Sequence, residues 1–291
     1  MRAGSGVGDG GATGGAVGHA QAAGAVAAHP GGEPDERRAP GPAVLSARDL
    51  VVHYGGVVAV NGVSLELRAG EVVGLIGPNG AGKSSALAAL GGQVRARSGT
   101  IELSERRIDR LAPFERARLG LTRTFQSTSE FEGMTVFENL QTAGHGADGG
   151  SLTGVVFRGK QNRARAAEVS RLAWDVLDRF EMSATADAYG RELSGGQRRL
   201  VEIMRCLMQR PRVLLLDEPM VGVAPHLVDK LVNDLLTIRD DGIALLLVEH
   251  ALEVVSELCD RVVVMAQGQV ICEGLYDDVV EDPDVREAYL G

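Results

Sequence analysis

The sequence predicts an α/β fold, with a mostly parallel sheet, an N-terminal antiparallel β subdomain and an inserted helical subdomain. Three observations lead to this fold class. In the last third of the chain, short apolar runs typical of buried strands alternate with amphipathic helical stripes. Strand-like segments separated by glycine turns come near the start, and the region from about 120 to 195 is mostly helical in pattern. Strand–helix alternation predicts helices on both faces of a parallel sheet.

The first 42 residues differ in composition from the rest of the chain. They are rich in Gly and Ala, with four Pro between positions 30 and 42. Such a composition cannot bury enough apolar surface to offset the entropy lost on ordering. We therefore expect residues 1–42 to form a disordered extension without chemistry of its own, and residues 43–291 to form the folded domain.

The first folded segments predict strands joined by turns. Leu45–Val52 and Val63–Leu67 have strand patterns, and we interpret Gly55-Gly56 and Asn61-Gly62 between them as turn signals. The apolar run Glu71–Ile76 then ends in a glycine-rich loop. The predicted elements that follow are a helix over Lys83–Leu90, a loop over Gly144–Gly159, a helix over Arg163–Phe180, strands over Val213–Leu216 and Ile243–Val248, a helix over Ala251–Leu258, and a hairpin of Val262–Met265 with Gln269–Cys272.

Charge and composition narrow the function classes. The formal net charge is −9, which argues against a nucleic-acid partner because such partners require a basic face. The basic run Arg158–Arg165 is either a solvated face or a docking contact. The three cysteines are far apart and form no CxxC pair, so we interpret them as small buried residues in a reducing compartment. No segment has a secretory or membrane-spanning pattern.

A phosphate-binding motif follows the strand Glu71–Ile76. The sequence GPNGAGKS matches GxxxxGK[ST] between a strand and a helix, which is the required context. Its glycines let backbone N–H groups surround phosphate oxygens at a helix N-terminus. Lys83 is expected to reach the β- and γ-phosphates, and Ser84 to bind Mg²⁺. The predicted nucleotide-binding residues here are Gly77, Pro78, Asn79, Gly80, Ala81, Gly82, Lys83, Ser84 and Ser85.

Two adjacent carboxylates follow the apolar strand Val213–Leu216. A buried strand of this kind presents Asp217 at its C-terminal end, where α/β sheets bind ligands. Asp217 is a candidate metal ligand. Glu218 is placed to polarise the attacking water as a general base. The alternative, an ordinary strand end with a solvated acidic pair, is less consistent with the phosphate-binding motif in the same chain.

A second candidate phosphate-reading surface is LSGGQ, in which Ser194 is a natural N-cap for the helical stripe that follows. LSGGQ resembles the signature of ATP-binding-cassette (ABC) ATPases. The order of motifs and the 134 residues between Lys83 and Asp217 are also similar to that family. The resemblance implies a P-loop ATPase core and an ATP hydrolase that uses Mg²⁺. It also implies nucleotide contacts from Ser194, Gly195, Gly196 and Gln197.

Further positions match the family pattern. Gln126 in RTFQ looks like the glutamine that contacts the metal and the water, and His250 looks like the switch histidine that contacts the γ-phosphate. Tyr54 looks like the aromatic residue that stacks on adenine, although a strand residue packed in the sheet is the alternative. The chain departs from the family at Ala224, where many members carry an Asp that contacts the opposite subunit. Communication between subunits through this loop is therefore in question.

Finer resemblance covers most of Val44–Gly291. The strings LTRTFQ, FEGMTVFENL and VREAYLG look like the ATP-binding subunit of branched-chain amino acid uptake systems. That resemblance implies transmembrane permease subunits, a second ATP-binding subunit and a solute-binding protein as partners. It places the chain in the cytoplasm, on the inner face of the cell membrane. Alternatives are a subunit for urea uptake or lipopolysaccharide export, or a non-transport cassette ATPase.

Overall fold

The computed structural model describes residues 41–124, 132–146 and 159–290. Most of the extension predicted for residues 1–42 lies outside this part of the chain. The described strands are β1 Ala43–Tyr54, β2 Val57–Arg68, β3 Val72–Ile76, β4 Ser98–Leu103, β5 Arg106–Arg107, β6 Leu121–Arg123, β7 Val213–Asp217, β8 Ala244–Val248, β9 Arg261–Ala266 and β10 Gln269–Gly274. The described helices are α1 Lys83–Gly91, α2 Pro113–Arg118, α3 Val136–Gly146, α4 Gly159–Arg179, α5 Gly195–Leu207, α6 Pro225–Asp240, α7 Leu252–Leu258, α8 Tyr276–Glu281 and α9 Pro283–Leu290.

The predicted antiparallel subdomain is a sheet in which the described strands follow the order β2-β1-β4-β5. The Gly55-Gly56 turn joins β1 to β2 as expected. The Asn61-Gly62 turn prediction was wrong, because both residues lie inside β2. Here the ladder shifts register between the pairs Leu50–Val63 and Val51–Asn61, so the extra residue forms a bulge. Gly62 has a φ of +76°, which explains why a turn-type glycine occupies a strand.

The second sheet contains the strands that position the functional loops. Among the described residues its order is β10-β9-β3-β8-β7-β6. All neighbours are parallel except β9 and β10, which form the predicted antiparallel hairpin. Leu75 and Asp217 both pair with Val248, so the ends of β3, β8 and β7 lie at one level. The carboxyl edge of a parallel sheet is where ligands bind in this class of fold.

Alternation along the buried strands separates two hydrophobic cores. In β7, Val213 and Leu215 pack with the antiparallel sheet and α1. Leu214 and Leu216 pack on the opposite face, with α5 and α6. Successive side chains of a strand point to opposite faces, so a strand buried on both sides must be apolar throughout. This accounts for the uninterrupted apolar runs in the sequence.

The described residues between β6 and β7 are mostly helical. The ring centroids of Phe137 on α3 and Trp174 on α4 lie 5.1 Å apart. The apolar residues that recur at helical spacing along α4 are buried or half-buried: Val169, Leu172, Ala173, Val176 and Leu177. The parallel sheet extends to β6, which pairs with β7. The bounds of about 120–195 for the inserted helical subdomain stay a prediction. Within the described ranges, none of these helices has the length and apolar character that crossing a bilayer requires.

Candidate functional site

The glycine-rich loop after β3 has a shape that larger residues could not adopt. Gly77 has a φ of +142°, and a Cβ on it would lie 2.0 Å from the Met265 carbonyl oxygen. Gly82 has a φ of +100°, and its Cβ would lie 2.2 Å from the Ala59 carbonyl oxygen. Both clashes are with backbone, which cannot move aside cheaply. Above Gly80 the loop presents open space, since a Cβ at that residue would meet no atom within 4 Å.

The Lys83 side chain lies across this loop at the start of α1. Its Nζ donates hydrogen bonds to the carbonyl oxygens of Gly77, at 2.7 Å, and Pro78, at 2.9 Å. Burial lowers the pKa of the Lys83 ammonium, and the carboxylates of Glu218 and Asp217 act in the opposite direction. The amine thus has carbonyl partners within the loop and can exchange them for phosphate oxygens above it.

Ser84 and Asp217 bring two oxygen ligands together. The Ser84 hydroxyl donates to Oδ1 of Asp217 at 3.5 Å, and Asp217 is only 4% exposed. A hydroxyl and a carboxylate are the oxygen donors that Mg²⁺ prefers, so this pair fits that ion. The second carboxylate oxygen of Asp217 accepts a hydrogen bond from Nη2 of Arg123 at 2.8 Å. Asp217 is therefore ion-paired with Arg123.

Glu218 and His250 face each other across the ends of β7 and β8. His250 Nε2 lies 3.2 Å from Oε1 of Glu218, and both side chains are about two-fifths exposed. Glu218 has a φ of +49°, a left-handed conformation that non-glycine residues rarely adopt. Its N–H donates to the Val248 carbonyl at 2.8 Å. This conformation places a solvent-accessible carboxylate directly after Asp217.

Ser194 caps α5 as the sequence predicts. Its hydroxyl accepts from the Gln197 N–H at 3.2 Å, and Gln197 Oε1 accepts from the Ser194 N–H at 2.9 Å, which completes a capping box. Ser194 and Gly195 are exposed. One turn further on, Arg199 donates to the carbonyl oxygens of Asp217 and Pro219. These hydrogen bonds connect α5, the helix that follows Ser194, to the end of β7.

Comparison with known families identifies this arrangement. A family model described as "ABC transporter" matches residues 60–221. This range includes the glycine-rich loop Gly77–Ser84 (the P-loop), the LSGGQ segment, and the carboxylates of Asp217 and Glu218. The chain belongs to the ABC transporter family. A second model, described as "Branched-chain amino acid ATP-binding cassette transporter", matches residues 269–291. That match includes β10 and the two C-terminal helices.

Relatives of this ABC protein extend the match beyond the family model. It is 38% identical over 255 residues to the high-affinity branched-chain amino acid transport ATP-binding protein LivG of Salmonella typhimurium, covering 85% of this chain and 98% of the relative. It is 35% identical to BraF of Pseudomonas aeruginosa, with 85% and 98% covered. A nucleotide-free ATP-binding cassette from an ABC transporter superposes with a TM-score of 0.76 at 35% identity, covering 86% of this chain and all of that one. An ADP conformation of a cassette gives 0.75 at 35% identity, with 86% and 99% covered.

Three positions singled out by the family resemblance have different outcomes. Tyr54 is 47% exposed at the end of β1, so its side chain is not buried in the sheet. Gln126 lies outside the described residues. Ala224 is the N-cap of α6 and makes no side-chain capping bond, as expected from its methyl group. The stacking role of Tyr54 and the metal role of Gln126 stay predictions.

The structure adds three polar residues that the sequence analysis did not single out: Arg123 on Asp217, Arg199 on the end of β7, and Glu249 after β8. Glu249 is 4% exposed, although it follows a strand end where a solvated residue would be expected. Arg123 immediately precedes the TFQ segment, and Glu249 immediately precedes His250. Adjacency to a predicted site residue is the signal that could have marked both of them.

Proposed function

We propose that this ABC ATPase subunit hydrolyses ATP to drive the import of branched-chain amino acids. The observation that carries the hydrolytic part is the Glu218–His250 pair, 3.2 Å apart, at the same sheet edge as the P-loop. The amino-acid assignment is supported by the family match over residues 269–291 and by the names of LivG and BraF.

In this proposal the chain's own residues bind the nucleotide, orient its phosphates and deprotonate the attacking water. The P-loop N–H groups and Lys83 hold the phosphates, and the Tyr54 ring stacks on the adenine. Glu218 accepts the proton of the attacking water, and His250 holds that carboxylate in place and contacts the γ-phosphate. Mg²⁺, held by Ser84, Asp217 and Gln126, would neutralise charge on the phosphate oxygens.

The proposed partners follow from the solvent exposure of Ser194 and Gly195 in the LSGGQ segment. Ser194 and Gly195 lie at a helix N-terminus that is open to solvent, where backbone N–H groups favour an anion. We propose that they contact ATP held by a second cassette, so that two subunits enclose two nucleotides head to tail. The helical region between β6 and β7 would transmit closure to permease subunits on the inner face of the membrane. A solute-binding protein would deliver the amino acid.

Glu218→Gln tests the hydrolytic assignment. The amide keeps the shape of the side chain but cannot accept the proton, so turnover should fall about 10²–10⁴-fold while ATP still binds. Glu253→Gln, which alters an exposed carboxylate on α7, is the matched control and should keep normal turnover. Near-normal hydrolysis by purified Glu218→Gln would contradict the assignment.

The transported solute requires the assembled transporter. Its ATP turnover should rise when the solute-binding protein is loaded with leucine or isoleucine. Stimulation by urea, with no response to these amino acids, would contradict the amino-acid assignment and leave the hydrolytic assignment intact.

A further inference from the structure

Glu249 is a buried carboxylate that accepts hydrogen bonds from backbone N–H groups of two functional loops. Oε1 accepts from the N–H of Met220 at 2.9 Å. Oε2 accepts from the N–H of His250 at 2.9 Å and, more weakly, from that of Ala251 at 3.4 Å. The residue is 4% exposed. Burying a charge is costly unless hydrogen bonds compensate, and bonds from N–H groups to an ionised carboxylate are among the stronger ones.

The two loops joined by this carboxylate are the ones that carry Glu218 and His250. Met220 follows Glu218 by two residues, and His250 directly follows Glu249. A separate backbone bond, from the Glu218 N–H to the Val248 carbonyl, connects the same two loops at 2.8 Å. Two hydrogen bonds, one from the Glu218 N–H and one from the Met220 N–H, therefore connect the two loops. Glu218 itself has a positive φ, which persists only where its surroundings enforce it.

We propose that Glu249 is a positioning residue that sets the distance between Glu218 and His250. It does not touch the reacting atoms but holds the His250 backbone against the loop that carries Glu218. This inference rests on the proposed function, which assigns the chemistry to Glu218 and His250. Because Met220 begins the loop that leads to Ala224, the same carboxylate also fixes the start of that loop.

Glu249→Gln tests the proposal with little change in volume. The amide oxygen can serve one of the two loops, but the NH₂ group then opposes an N–H donor of the other loop. We expect kcat to fall about ten- to a hundredfold, with the Kd for ATP within about twofold of the unmodified chain. Turnover should be measured per nucleotide-binding site, so that unfolded protein does not contribute.

A double-mutant cycle with His250→Ala separates positioning from general destabilisation. If Glu249 acts by holding His250 against Glu218, then adding Glu249→Gln to His250→Ala should cost less than about threefold in single-turnover rate. An equal loss in both backgrounds, or normal kcat in Glu249→Gln alone, would overturn the proposal. Should the Gln variant fail to fold, Glu249→Asp keeps the charge one methylene shorter, and the same cycle applies to it.

Glu71→Gln is the matched control. Glu71 is also a partly buried carboxylate, accepting from the Arg68 N–H and pairing with Arg261, but it precedes β3 at the opposite edge of the sheet. We expect it to lower stability without changing kcat. Full turnover in both Glu218→Gln and His250→Ala would contradict the proposed function and this inference together. If Glu249→Gln and His250→Ala each slow hydrolysis and their effects are additive in the double variant, this inference alone is contradicted.

Discussion

The Arg123 guanidinium is ion-paired with Asp217, with Nη2 2.8 Å from Oδ2 and side-chain exposures of 10% and 2%. Asp217 is the carboxylate that we propose as a metal ligand. Its other oxygen, Oδ1, lies 3.5 Å from the Ser84 hydroxyl. The Arg123 guanidinium therefore compensates the charge of this carboxylate. Mg²⁺ held by Ser84 and Asp217 would share the carboxylate with the guanidinium.

This relationship predicts that Arg123→Gln increases the affinity of the nucleotide complex for Mg²⁺. Removing one nearby positive charge should lower the Mg²⁺ concentration for half-maximal binding of a fluorescent ADP analogue about three- to tenfold. Arg106→Gln, which removes an exposed charge on β5, is the control and should leave the titration unchanged. An unchanged or higher Mg²⁺ requirement in Arg123→Gln would show that Arg123 does not compete for Asp217.

Arg116 predicts a large loss of stability when it is truncated. It is 2% exposed and donates to the carbonyl oxygens of Ala89, Leu90 and Leu111, two of which belong to the last turn of α1. Burial lowers the pKa of its guanidinium to about 10, so it is still charged at neutral pH. Arg116→Met leaves those carbonyls without this donor and should lower the free energy of unfolding by about 2–4 kcal/mol in urea titrations.

The control for this substitution lies on the same helix. Arg118 is exposed and contacts the Phe114 ring, with its guanidinium carbon 5.3 Å from the ring centroid. Arg118→Met should therefore change the urea midpoint only slightly. Equal effects of the two substitutions would mean that burial of the Arg116 guanidinium is not what stabilises this end of α1.

The cysteines predict slow thiol labelling in the folded state. Burial raises the pKa of Cys206, and separately that of Cys259, to about 12, against an ordinary 9.0. Because the thiolate is the reactive form, its population at pH 8 falls roughly a thousandfold for each residue. A disulfide reagent at pH 8 should label Cys272 first, and all three thiols only after unfolding in urea. Rapid labelling of three equivalents in the folded protein would contradict these pKa shifts.

The exposure of the LSGGQ residues Ser194 and Gly195 predicts that Ser194 contacts a nucleotide held by another subunit. Ser194→Arg leaves Gly77–Ser84 unchanged, so each chain should still bind Mg-ATP. The bulky side chain should block ATP-dependent pairing. Light scattering measures this in the Glu218→Gln background, in which the loss of hydrolysis should keep the pair closed. The measurement should be made both with this chain alone and with a second, different ATP-binding subunit added. Loss of ATP binding by the single chain would mean that Ser194 acts on its own nucleotide.

Much of the fold could be predicted from the sequence because local patterns determine it. The apolar runs of β3, β7 and β8 predicted strands buried on both faces. The glycine spacing of Gly77–Ser84 predicted a loop whose backbone N–H groups surround phosphate oxygens. The Ser194 cap follows from one hydroxyl placed before an amphipathic stripe. In each case the interactions that determine the local structure involve residues a few positions apart in the sequence, or the alternation of side chains along a single strand.

Tertiary structure decided the features that join distant segments. Asn61-Gly62 has the composition of a turn, but pairing with β1 makes it a bulge. Arg123 is 94 residues from Asp217, and Glu249 is 29 residues from Met220, so no local pattern relates them. A charged residue beside a strand end is usually solvated. Here strand order places each one against a buried group of another loop, and only that juxtaposition makes its charge part of the site.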